Sequence, residues 1–223
     1  MRPGCRLPAA CLLATLVTAV PAEAQQSTRR PLELSGGIVW TAPRALGSVD
    51  ANLLDADGTP VPFFRADIEA GAGLGLEVIV SQAVARRIDV ELSGGWTRFD
   101  VRTVIRGDIE DVPDVTVSEA LSRYSVEGGV AWRFAEQGRL AWFLRGSAGW
   151  MREVVGDMSL AENGLVFGGG LGFKYWMARR ATGQDQFGIR VEMRVLNRRD
   201  GIPLDDGGFR LWPAAAASAV VKF

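Results

Sequence analysis

Alternation with a period of two, in which the partner of each apolar residue is often a full charge, constrains this chain more than any other feature. In residues 87–99, Ile88, Val90, Leu92 and Trp96 share one parity, while Asp89, Glu91, Ser93 and Thr97 share the other. Residues 186–197 repeat the pattern, with Phe187, Ile189, Val191, Met193 and Val195 against Arg190, Glu192 and Arg194. Successive side chains of a strand point to opposite faces, so each segment has one apolar and one charged face. A charge at every second position is too costly for an ordinary core. The pattern suits a barrel that meets lipid outside and holds polar groups inside.

Eight segments read this way: 32–40, 70–80, 87–99, 121–134, 139–151, 164–177, 186–197 and 211–223. The fold class is therefore all-β: a closed, antiparallel, up-and-down transmembrane β-barrel of about eight strands. Long connections (41–69, 100–120, 152–163, 198–210) alternate with short ones (81–86, 135–138, 178–185), as expected of outer-membrane barrels. The even strand count puts both termini on the short-turn side. Pro213 interrupts the last strand near its beginning, where proline is tolerated. The paired glycines (36–37, 94–95, 128–129) and the run 168–170 fall inside strands, where they give curvature and room for long side chains.

The first residues read as an export address. Arg2 and Arg6 precede a short apolar run, Leu12 to Val20, and Pro21-Ala22-Glu23-Ala24 offers small residues for cleavage. The expected organisation is a cleaved signal peptide over 1–24 and a barrel domain over 25–223, destined for the cell outer membrane. Both cysteines, Cys5 and Cys11, leave with the signal, so no disulfide staples the rest. A net charge of −1 gives no electrostatic case for nucleic acid. No cofactor or metal is expected.

Aromatic spacing adds a vertical scale. Tyr124 and Trp132, Trp142 and Trp150, and Phe167 and Tyr175 are pairs eight residues apart on apolar faces. Eight residues span about 26 Å along a strand, or about 20 Å of height after tilt. Trp40 and Trp96 join the outer girdle of such a barrel, and Phe134, Phe187 and Phe223 the inner one.

The opposite parity defines the expected interior. It carries Glu33, Glu77, Asp89, Glu91, Glu127 and Glu192 against Arg133, Arg145, Lys174, Arg190, Arg194 and Lys222. An eight-stranded barrel is just wide enough for side chains to fill, so balanced charges are expected to pair across it. A narrow conducting lumen is the alternative.

The final strand ends Ala215, Ala217, Ala219, Val221, Phe223 and resembles the last strand of bacterial outer-membrane proteins. Gly73-Leu-Gly-Leu-Glu77 and Ile88-Asp-Val-Glu-Leu-Ser-Gly-Gly-Trp96 flank a short turn and resemble the second hairpin of small OmpA/OmpX-like barrels. The likeness is one of pattern and covers nearly the whole mature chain. It implies an integral outer-membrane barrel; the expected partners are outer-membrane lipid and lipopolysaccharide, with the chain as a monomer. It also implies that Phe223 acts as an assembly signal for the barrel-assembly machinery.

Nothing in the chain reads as an enzyme. Histidine is absent, which removes the commonest general base and histidine-based metal sites. Carboxylate pairs such as Asp89 and Glu91 lack a groove for a sugar inside a filled barrel. The outer connections are acidic: Asp50, Asp55 and Asp57 in the first, Asp108, Glu110, Asp111 and Asp114 in the second, Asp205 and Asp206 in the last. These carboxylates read first as a solvated loop surface; the sharper alternative is that they share divalent cations with lipopolysaccharide phosphates, which Arg98, Arg102, Arg106, Arg198 and Arg199 would contact directly. The long first connection is the best candidate for a surface partner. Three roles stay open: a structural or surface-interaction barrel, a narrow channel for ions or small solutes, and a soluble periplasmic barrel with its apolar parity turned inward.

Overall fold

The computed structural model describes residues 30–54, 57–106, 113–156, 160–179, 185–200 and 211–223. The expected signal peptide, with Cys5 and Cys11, lies outside them. So do Asp55, Asp108, Glu110, Asp111, Asp205 and Asp206.

Ten strands follow in chain order: β1 Leu32–Thr41, β2 Arg44–Leu54, β3 Pro60–Ala70, β4 Gly73–Ala85, β5 Ile88–Arg106, β6 Val115–Gln137, β7 Leu140–Val155, β8 Ala161–Arg179, β9 Asp185–Asp200 and β10 Trp212–Lys222. All pairings are antiparallel, and eight strands close a ring: β1, β4, β5, β6, β7, β8, β9, β10 and back to β1. The eight segments read from the sequence are the eight strands of this ring.

Register fixes the shape of the ring. Leu32 pairs with Gln82, and the row continues through Val90, Val130, Gly146, Gly169, Val195 and Pro213, whose carbonyl accepts a hydrogen bond from Ala42 N. One circuit thus climbs ten residues, from 32 to 42. With standard strand spacings this shift tilts the strands by about 40° and sets a backbone diameter of about 16 Å. Such a bore is filled by the side chains that point into it.

The tilt also orders residues by height. Each residue rises about 2.5 Å along the axis, and each step to the next strand along the register adds about 3 Å. On this scale Trp40, Trp96, Tyr124, Trp150 and Phe167 fall in one belt. Trp132, Phe134, Trp142, Tyr175 and Phe187 fall in a second, about 20 Å nearer the short turns. Between the belts the outward residues are apolar and exposed: Leu76, Val78, Leu92, Val126, Val130 and Leu171 are all 45% exposed or more. Phe223, at the turn end of the barrel, is 63% exposed.

The first connection differs from expectation. Read as an irregular loop over 41–69, it is largely the β2–β3 hairpin, whose strands pair from Arg44–Ala70 to Leu54–Pro60. Strand β3 then pairs with the end of β5, from Ala70–Val101 to Arg65–Arg106. The physical reason is continuity. Only Ala42-Pro43 separates β1 from β2, and only Gly71-Ala72 separates β3 from β4. Gly71 N keeps the ladder closed across the second break by donating to Asp100 O at 2.7 Å. The other long connections also shrink, because β5 to β9 run past the upper belt. The 23 residues of β6 climb about 55 Å, roughly twice the apolar height of such barrels.

Candidate functional site

The inward parity of the ring brings together the charges expected there, and each strand holds them on the one face that points into the bore. At the turn end, Lys174 on β8 reaches Glu33 on β1 at 2.5 Å and Asp89 on β5 at 3.6 Å. Lys222 lies 3.5 Å from Glu33, and Arg133 lies 3.3 Å from Asp89 while donating to Arg86 O at 2.9 Å. A cavity of about 70 Å³ at this mouth is lined by Glu33, Arg133, Lys174 and Lys222.

At mid-height Arg190 forms the hub. Its Nη1 and Nη2 donate to the two oxygens of Glu91 at 2.6 and 3.1 Å, and Nη2 also donates to Glu192 at 2.9 Å. Phe143 lies beneath the guanidinium, 4.4 Å from its ring centroid. Arg145 comes from β7, two strands round the ring from Arg190. It donates to Ser93 Oγ at 2.8 Å, and its Nε lies 3.1 Å from Glu91 without hydrogen-bond alignment. Arg194 closes a two-pronged pair with Glu77 at 2.7 and 2.5 Å. Glu127 departs from the expected charge pairing: the bond that reaches its carboxylate comes from Ser147 Oγ at 2.8 Å. Glu91, Lys174, Arg190 and Glu192 are all at most 2% exposed.

Small residues make this crowding possible. A Cβ on inward Gly170 would come within 3.0 Å of Arg194 Cβ and of the Glu192 carboxylate, and one on Gly168 within 2.7 Å of Ser147 Oγ. The glycines of β8 therefore yield their volume to side chains from β7 and β9.

Toward the loop end lies a second group that the sequence reading missed. Arg123 donates to Glu153 Oε1 through Nε and Nη2, at 3.0 and 2.7 Å, and Arg198 donates to Glu153 Oε2 at 2.8 Å. Arg198 was expected to face lipopolysaccharide; instead it points into the barrel, because even numbers on β9 face inward with Arg190, Glu192 and Arg194. Arg123 shares the parity of Glu127 and Arg133, which was the available signal. Its guanidinium stacks 4.5 Å from the Trp212 ring and 5.1 Å from Phe99. These rings join Leu46, Ala70, Val101 and Leu121 in a buried apolar cluster that caps the charges. Trp212 Nε1 donates to Ala42 O at 2.6 Å, which ties β10 to the β1–β2 break.

The interior is thus charged and the exterior apolar, the reverse of a soluble ligand-binding barrel. Most of the expected girdle residues, Trp40, Tyr124, Trp132, Phe134, Trp150, Phe167, Tyr175 and Phe187, are 37–48% exposed on the outer surface. Trp96 is partly buried, and so is Trp142, whose ring packs on Phe173 at 5.4 Å.

No protein-family model matches the sequence, and neither does any curated protein sequence. Solved structures do match. The crystal structure of the outer membrane protein OprG from Pseudomonas aeruginosa aligns with a TM-score of 0.51 at 12% identity, over 87% of this chain and 96% of that one. The chain has the fold of a small bacterial outer-membrane β-barrel. The barrel also aligns with Neisserial surface protein A (TM-score 0.47, 10% identity, 86% of this chain and 95% of that one). For the outer membrane protein AlkL in lipid bilayers the values are 0.49 and 14%, over 92% of this chain and 95% of that one.

Proposed function

We propose that this protein is an integral outer-membrane barrel with a structural or surface-interaction role and a closed interior. The observation that carries the reading is the inverted distribution of side chains. Leu74, Leu76, Leu92 and Met193 are 58–73% exposed, while Glu91, Arg190, Lys174 and Glu192 are at most 2% exposed. Water would disfavour that exterior, and lipid suits it.

In this reading the signal segment 1–24 is removed on export. The short turns face the periplasm, and the β2–β3 hairpin and the ends of β5 and β6 stand outside the cell. The protruding hairpin, with Asp50, Arg65 and Asp67 on its exposed surface, is the part offered to partners. The bore is closed rather than conducting, because Arg190 and Arg145 meet the same Glu91 carboxylate from different walls. No catalytic role is assigned, since the interior carboxylates are engaged in ion pairs or hydrogen bonds.

Refolding the chain from Gln25 to Phe223 in detergent micelles tests the membrane reading. The expected result is β-rich circular dichroism with a boiling-dependent shift on a denaturing gel. A chain that stays soluble without detergent and shows no shift refutes it. Planar-bilayer recording tests closure: the expected trace shows no steady conductance, and regular open levels assign a channel instead.

A further inference from the structure

We propose that Arg98, Arg152 and Arg199 form a band that binds the phosphates of glycolipids in the outer leaflet; this rests on the outer-membrane reading above. The three lie on the outward face of β5, β7 and β9 and are exposed. The register sets their height. Trp96 pairs with Tyr124 and Tyr124 with Arg152, while Trp150 pairs with Leu165 and Leu165 with Arg199. With the barrel's tilt, the three arginines fall within about 3 Å of one level, about 5 Å to the loop side of the upper aromatic belt. Each is two strands from the next, a spacing of about 12 Å around the wall.

The outward positions between them on β6 and β8, Ser122 and Asn163, are polar and uncharged. Among the described residues none of the three arginines has an ion pair. Arg65 and Arg106, higher on the wall, are by contrast within 4.0 Å of Asp67 and Asp114. Below Arg98 runs an apolar groove of about 500 Å³, lined by Ile38, Leu74, Leu76 and Trp96.

These features select one kind of occupant. A guanidinium offers a planar fork that suits phosphate oxygens. Cations at one level, one step above an aromatic belt, match a plane of anions at the top of an acyl layer. Their separation is too wide for one small anion to bridge, which favours a layer of phosphorylated headgroups over a soluble ligand. The groove beneath Arg98 supplies a path for an acyl chain. Arg102, four residues further out, stands about 10 Å above Arg98 and clears the headgroup plane. The contact is direct and does not need divalent cations shared with the loop carboxylates.

The test uses the full mature chain folded into phosphatidylcholine bicelles, with chelator present, titrated with lipopolysaccharide and followed by native mass spectrometry. The R98Q/R152Q/R199Q variant should bind about tenfold more weakly or worse, and phosphatase-treated lipopolysaccharide should lose affinity for the unmodified protein to the same degree. R102Q should bind as the unmodified protein does. Equal binding by the triple variant, or by dephosphorylated lipid, overturns the proposal. So does full displacement by inorganic phosphate, which would mark a free-anion site. A chain that does not enter bicelles refutes the membrane reading itself, and the boiling-dependent shift distinguishes that outcome from a folded barrel that fails to bind.

Discussion

Substituting Arg190 by methionine removes the hub of the interior while keeping much of its length. The change deletes two bonds to Glu91 and one to Glu192, all in a site where Arg190 is 2% exposed. Breaking a buried ion pair from one side costs about 3–5 kcal/mol, because the remaining charge keeps its desolvation penalty. Here Arg145 stays within 3.1 Å of Glu91 and 3.5 Å of Glu192, so the loss should fall at the lower end, about 3 kcal/mol. That is roughly a hundredfold in the ratio of folded to unfolded barrel. Urea titration of the refolded protein in lipid vesicles, followed by tryptophan fluorescence, reads it as a shift in midpoint. The companion variant R190M/E91M removes both charges and should recover most of the loss, since a buried pair replaced by apolar groups of similar volume is often neutral. If R190M costs under about 1 kcal/mol, or if the double variant is at least as damaged as R190M, the paired-network argument is wrong.

Three further outcomes follow from the same geometry. Gly170→Leu forces atoms into the space held by Arg194 and Glu192 and should destabilise by about 1–3 kcal/mol, whereas outward Gly169→Leu should be near silent; their gel-shift transitions on heating compare the two. Trp212→Phe removes the buried bond to Ala42 O and should cost about 1–3 kcal/mol, with faster hydrogen exchange localised to β2 and β3 rather than spread through the ring. Val130→Arg puts a charge between the belts at a position 49% exposed, and should cost about 2–4 kcal/mol in vesicles; a neutral result would mean that this face does not contact lipid.

Period-two parity made the eight ring strands legible, because each carries enough Leu, Val, Ile or Trp on one face to stand out from its charged face. The same signal failed where strands leave the lipid band. Beyond Trp96 the outward face of β5 reads Arg98, Asp100, Arg102, so apolar alternation fades although the ladder to β6 continues to Ile105–Val115. Glu153 and Arg198 were lost with it, since each sits past the point where its strand was taken to end. Their link to Arg123 joins β6, β7 and β9, and no local pattern announces a contact across three strands. The β2–β3 hairpin was hidden by its turn-forming composition. What decides it is non-local: inward Leu46 and Ala70 are buried against Phe99 and Trp212, residues from β5 and β10.

A charged interior also resolves a conflict built into this kind of barrel. The outer face must be apolar over about 25 Å of height to meet lipid. Had the inner face been apolar as well, each strand would be a continuous hydrophobic run, and such chains aggregate or are retained as membrane helices during export. Charges at alternate positions keep the mean hydropathy near zero, at +0.09 for this chain. The cost appears only on folding, when groups such as Glu91, Lys174 and Arg190 leave water, and ion pairing across the bore offsets it. The sparing use of volume follows from the same constraint. A bore about 16 Å across holds paired arginines and glutamates only if part of its wall carries no side chains, and on β8 glycines 168, 170 and 172 meet that condition.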